Sequence, residues 1–156
     1  MRDVTLCFCM KENKVLLSKK KRSFGGGKWN GYGGKCEPGE AIEQSLVREI
    51  REEADISVSE KDLEKIGTID FYFDDKAEWN QRAHVYRLFM WDGEPKETEE
   101  MEQPEWFRYS EIPWHEMWAG DDEWIPYVLR GEYFEGVVHF VEEGKKIASI
   151  DLQKAL

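Results

Sequence analysis

Glu49, Glu52 and Glu53 stand at i, i+3 and i+4. On a helix that spacing crowds three carboxylates into one turn. Ile42, Leu46 and Ile50 form an apolar stripe along the same segment. The stripe's continuation would be apolar in an ordinary surface helix, but the chain supplies Glu49 and Glu53 there. Like charges this close repel, and in a partly buried setting at least one must take up a proton. A divalent cation removes the conflict. Ligands that are all oxygen favour a hard ion, magnesium before zinc, with manganese able to substitute. The competing reading is a solvated acidic face with Arg48 and Arg51 as helical partners.

The elements that must hold these groups follow from the pattern around them. The helix is expected from about Ala41 to Ala54, entered through a turn that begins at Gly34. Val4 to Met10 and Val15 to Ser18 read as a hairpin around Lys11–Lys14. Ser23 to Gly34 is a glycine-rich loop interleaved with Phe24, Trp29, Asn30 and Tyr32. Leu63 to Phe73 and Arg82 to Trp91 read as strands around a polar tip, Asp74 to Gln81. Asp92 to Gln103 is an acidic linker, and Trp106 to Tyr109 a short strand. Asp121 or Asp122 is suited to cap a second helix that ends at Gly131. Val137 to Val141 and Lys146 to Asp151 close the chain as a hairpin. Strands on both sides of a helix, with a second helix late, predict an α/β fold. Its mixed sheet lies between helices, in a single domain over residues 1–156.

Composition narrows the partners. A net charge of −11 opposes a surface for long nucleic acids, and Lys19–Arg22 is the concentrated basic stretch. A small anion held through a metal needs no such patch. Seven Trp residues suggest stacking on something planar, with core packing the default for each ring. The three Cys lack a C-x-x-C pair and read as reduced small hydrophobes. The first strand begins almost at Met1, and no apolar run approaches membrane-spanning length. A cytoplasmic location is expected, without membrane or nucleic-acid polymer partners.

The segment from Gly34 to Ile56 matches G-x5-E-x7-R-E-U-x-E-E-x-G-U, U being aliphatic, through Gly34, Glu40, Arg48, Glu49, Ile50, Glu52, Glu53 and Ile56. In this it resembles the Nudix hydrolases. One position departs, Asp55 standing where the pattern has Gly. That position follows the helix, where a left-handed residue is common, and Asp tolerates that conformation better than most. The resemblance implies the Nudix α/β/α sandwich and a magnesium site. Glu53 would be a principal ligand, joined by Glu49, Glu52, the Gly33 carbonyl and a later acidic residue, for which Glu100 is the candidate. Arg48 would pair with a carboxylate of the segment. Glu49, Glu52 and Glu100 all qualify as the general base, and Lys20, Lys35 and Arg22 as contacts to phosphate oxygens.

Flanking stretches extend the likeness to the oxidised purine nucleoside triphosphate hydrolases, the MutT-like enzymes that sanitise nucleotide pools. They include Lys20–Arg22 with Phe24-Gly25, Lys28–Lys35, Gly93–Pro95, Glu100-Met101, Met117-Trp118 and Asp121-Asp122. The likeness implies a purine hydrogen-bonded by Asn30, stacked by Trp118, read along its edge by Asp121 or Asp122, and walled by Phe24 and Phe71. The family's Trp-Pro-Asp-Asp appears here as Trp118-Ala119-Gly120-Asp121-Asp122. Aligned on Trp118 and Trp124, only Asp121 keeps register; aligned on the Asp pair, both acids shift by one residue; capping of the following helix is the alternative role for either acid. The implied reaction converts 8-oxo-dGTP, 2-hydroxy-dATP or a related triphosphate to the monophosphate and pyrophosphate. A monomer acting on a free nucleotide is expected. The alternatives are a Nudix pyrophosphatase for ADP-ribose, dinucleoside polyphosphates or unmodified nucleotides, and a nucleotide-binding module without catalysis. The complete carboxylate set opposes the last.

Overall fold

The computed structural model describes residues 1–22, 24 and 26–154. Ser23 and Gly25, part of the expected loop and of the resemblance, lie outside the described residues. The strands are β1 (Arg2–Lys11), β2 (Lys14–Lys19), β3 (Trp29–Asn30), β4 (Glu64–Phe73), β5 (Gln81–Leu88), β6 (Glu105–Arg108), β7 (Phe134–Val141) and β8 (Lys146–Lys154). The helices are α1 (Ile42–Ala54) and α2 (Asp121–Arg130). The sheet order is β3-β2-β1-β5-β4-β7-β8, with β6 added on β2. β1–β5 and β4–β7 are parallel and the other pairs antiparallel, so the sheet is mixed as expected.

Strand alternation gives the sheet two apolar faces. On one, Val4, Phe8, Ile69, Phe134 and Val138 pack with Trp124, Ile125 and Val128 of α2. On the other, Cys7, Cys9, Tyr86 and Leu88 pack with Leu46, Ile50 and Ala54 of α1. The two inward positions of the expected α1 stripe, Leu46 and Ile50, are fully buried. The three cysteines are unpaired thiols. Among the described residues no helix is long and apolar enough to cross a membrane.

Several boundaries differ from the expectation. β5 stops at Leu88, its last partner to β1 being Cys9, so Phe89 to Trp91 lie outside the ladder. Trp29-Asn30, expected as loop, pairs with Ser18 and Lys19 of β2. β7 starts at Phe134, ahead of an interior Gly136 that conceals the strand pattern. Neither Asp121 nor Asp122 caps α2. The N-cap is Gly120, and no side chain makes a capping bond.

Asp55 ends α1 with φ 56° and ψ 41°, the left-handed conformation, and donates its N–H to the Arg51 carbonyl. Replacing it tests this conformation. Asp55→Gly is expected to raise Tm by about 1–3 °C, and Asp55→Val to lower it by about 3–6 °C, since a β-branched residue is strained there. Calorimetry of both variants checks the sign.

Candidate active site

The carboxylates of α1 meet a turn that had to come unusually close to β1. Residues 32–36 run beside β1 as a further short ladder. Tyr32 and Cys7 exchange backbone bonds, Thr5 donates to the Gly34 carbonyl at 2.9 Å, and Cys36 donates to that of Asp3 at 3.1 Å. A Cβ on Gly33 would lie 1.9 Å from the Thr5 carbonyl oxygen, and one on Gly34 would lie 2.6 Å from Glu49 Cδ. Only glycine lets the turn pass between β1 and the helix.

Into this turn Glu53 is buried, 3 % exposed, with Oε1 accepting the Gly33 N–H at 2.8 Å. Burial raises its pKa to about 8, only partly offset by that hydrogen bond. Burial also raises that of Glu49, against the pull of Arg48. Arg48 binds Glu40 through Nε at 2.7 Å and Nη2 at 2.9 Å, and Glu49 and Glu52 through Nη1 at 2.9 and 3.3 Å. It also donates to the Lys35 carbonyl at 3.2 Å. The guanidinium holds the Glu40 carboxyl down at about 2.

Glu100 arrives from the acidic linker. Lys21 donates to the Glu100 carbonyl at 2.9 Å, Glu102 donates to that of Lys19 at 2.8 Å, and Thr98 Oγ1 donates to the Glu53 carbonyl at 3.0 Å. Buried Met101 anchors the segment. Oxygens of Glu49, Glu52 and Glu100 thereby lie within 4.8 Å of one another. The set is all-carboxylate, partly desolvated and like-charged, which fits a hard divalent cation. Glu53, expected as a principal ligand, lies outside that trio, with one oxygen committed to Gly33.

One cavity of about 980 Å³ joins this cluster to an aromatic chamber on the α2 side of the sheet. Lys20, Gly33, Lys35 and the four glutamates line one end; Phe24, Asn30, Phe71, Trp118 and Asp121 line the other. Asp122 is exposed and is not among the lining residues, so of these two acids Asp121 is the one offered to the chamber. Its backbone N–H bonds the Trp118 carbonyl, and its Oδ1 accepts the Trp124 indole N–H at 3.1 Å. Complete burial raises its pKa to about 8. Gly120 has φ +89°, and a Cβ there would lie 2.3 Å from Ile147 Cδ1, so a second acid at this position would be strained in its backbone and would have to push Ile147 aside.

Three details refine the expected site. Trp118, expected to stack on a purine, is itself stacked by Phe24 at 5.1 Å and 29°, with Lys28 Nζ 5.4 Å from its ring. Asn30 already uses Oδ1 to accept the Gly31 N–H at 2.8 Å, leaving its amide N–H groups as the open donors. Arg22 is exposed and does not line the cavity. Sequence reasoning also missed Lys28, Trp79 and Gln81, which line it. A Trp in an otherwise polar hairpin tip was the available signal for Trp79, whose ring meets Phe24 edge-on at 5.0 Å.

Comparison with known proteins adds the family. The NUDIX domain model matches residues 1–128. The chain is 43 % identical over 137 residues to the oxidized purine nucleoside triphosphate hydrolase of Danio rerio, covering 88 % of this chain and 85 % of that protein. It is 39 % identical over 139 residues to the protein of the same name from Mus musculus, covering 89 % and 86 %. Among solved structures, a mutator MutT protein from Bacillus halodurans superposes with a TM-score of 0.82 at 29 % identity, over 97 % of both chains.

Two measurements test this geometry. Glu53 and Asp121 have folded-state pKa values near 8, above ordinary values of 4.5 and 3.8. The folded state therefore keeps protons that the unfolded chain releases. The stabilisation is complete below the ordinary values and is lost as pH rises toward about 8. In chelator, Tm is expected to fall between these limits, and Glu53→Gln and Asp121→Asn should each flatten the fall. Separately, Gly34→Ala must displace the Glu49 carboxylate. Titration calorimetry should show divalent-cation affinity about tenfold weaker with the fold retained.

Proposed function

Because the chain belongs to the Nudix family of hydrolases, we propose that it hydrolyses an oxidised purine (deoxy)nucleoside triphosphate to the monophosphate and pyrophosphate. The observation that carries the reading is the single cavity with a carboxylate cluster at one end and a ring-lined chamber with one buried acid at the other. Those ends suit a substrate with a polyphosphate and a flat heterocycle. The names of the two vertebrate relatives support the same class.

In this reading Glu49, Glu52, Glu53 and Glu100 hold Mg²⁺, with Mn²⁺ as a substitute and the Gly33 carbonyl completing the set. When bound, the cation neutralises charge on phosphoryl oxygens and acidifies water. The chain's own work is orientation. Arg48 aims Glu49 and Glu52, and the Gly33 N–H fixes Glu53. Lys20 faces the phosphates. Water adds to phosphorus while the bridging P–O bond breaks; its proton passes to a carboxylate oxygen of the cluster and pyrophosphate departs.

At the other end the purine displaces Phe24 from Trp118 and stacks there, Asn30 donates from its amide, and Phe71 forms the wall. Asp121 holds its proton near neutrality or releases it. Protonated, it donates to a carbonyl; ionised, it accepts from a ring N–H. A normal purine and its oxidised form differ in where these groups lie. The enzyme works in this proposal as a cytoplasmic monomer of one domain, on free nucleotides.

Pyrophosphate release with Mg²⁺ should be measured for 8-oxo-dGTP, 2-hydroxy-dATP, dGTP and dATP, with AMP formation for ADP-ribose. The expected kcat/KM for an oxidised purine exceeds that of its normal parent by at least about tenfold, a span that hydrogen-bond readout can supply. Equal values, or turnover of ADP-ribose alone, would overturn the substrate assignment.

A further inference from the structure

Arg2 is a cation without an assigned task. Arg48, Arg51, Arg82, Arg87, Arg108 and Arg130 each have a carboxylate within ion-pair distance, as a chain of net charge −11 makes easy. Arg2 has no carboxylate, no hydrogen-bond acceptor and no aromatic face among the described residues, and its Nε is buried and unpartnered. A buried donor left unpaired is costly unless something else satisfies it. Sheet register locates it. On β1 Arg2 alternates with Asp3, so it shares the cavity-facing side with Val4 and Leu6, and all three line the cavity. In the parallel ladder it stands beside Gln81, which pairs in turn with Phe71, a wall of the aromatic chamber. On its other flank runs the turn bearing Lys35 and Cys36, bridged to Val4 and Asp3.

Arg2 thus sits beside the route from the chamber to the carboxylate cluster. A polyanion on that route needs cationic donors beyond a metal. Arg48 cannot supply them, because it is bound to Glu40, Glu49, Glu52 and the Lys35 carbonyl. Arginine's planar fork suits phosphoryl oxygens in pairs. We propose that Arg2 is a substrate-binding residue that holds oxygens of the departing diphosphate. The assignment of the cavity to a nucleoside triphosphate, made above, underlies this inference.

The test uses inorganic pyrophosphate with Mg²⁺ as the probe, so it does not depend on turnover of any nucleotide. By titration calorimetry, Arg2→Gln should bind pyrophosphate about tenfold more weakly than the unaltered protein, and Arg2→Lys by an intermediate factor. Affinity for the nucleoside monophosphate product should stay within about twofold. In the unaltered protein, the Arg2 Nε–Hε resonance should shift on saturation with pyrophosphate, which covers the case of a variant that folds poorly. Unchanged pyrophosphate affinity in a folded Arg2→Gln protein, or a resonance that stays put at saturation, would overturn the assignment. Weakened pyrophosphate binding in a protein that turns over no oxidised purine would leave Arg2 in place and discard the substrate reading instead.

Discussion

Holding like charges a few ångströms apart is the constraint on which this structure turns. Coulomb repulsion would spread the carboxylates of Glu49, Glu52 and Glu100, and the partial burial of Glu49 leaves its share of that repulsion less screened than that of the two exposed acids. One guanidinium carries much of the compensation. Arg48 touches Glu40 in the turn, Glu49 and Glu52 on the helix, and the carbonyl of Lys35. It therefore joins α1 to the segment that runs along β1. The linker is fastened to the same helix from the other side, by Thr98 on the last turn's Glu53 carbonyl. Electrostatics, helix end, turn and linker form one network, whose members are worth more together than apart.

The cavity also shows how a strongly acidic chain can receive a polyanion. Net charge describes the far field, whereas binding depends on a few donors at short range. Lys20, Lys28, Lys35 and Arg2 all line this cavity, although acidic side chains outnumber basic ones 33 to 22 over the chain. In the proposed function the carboxylate end would hold the cation, and the surrounding lysines and arginine would face the anion. The two buried acids, Glu53 and Asp121, divide the cavity between them, one near the carboxylate cluster and one in the chamber.

Much of this was legible in the sequence where local pattern and chemistry coincide. Glu49 and Glu53, interrupting an apolar stripe, disclosed the helix and its acidic end. The left-handed conformation of Asp55 followed from its place after that helix. What escaped reading was set by long-range packing. That Asp121 turns inward while Asp122 faces solvent goes with the way α2 lays Trp124, Ile125 and Val128 against the sheet, a packing of distant segments. Phe24 against Trp118 is likewise a meeting of distant segments. Arg2 looked like an ordinary first-strand residue until sheet register put it beside Gln81 and the turn.

The turn from Tyr32 to Cys36 has a consequence for solubility as well. β2 pairs with β1 only from Cys9 to Lys11, so the earlier part of β1 would present an open row of backbone donors and acceptors. The site's own segment covers that row through Thr5, Cys7 and Asp3. A bare strand edge is a template for pairing with another chain. The segment that shapes the carboxylate end of the cavity is therefore also the guard against edge-to-edge association. A lesion that loosens it would be felt as aggregation in the cell, alongside any loss of turnover.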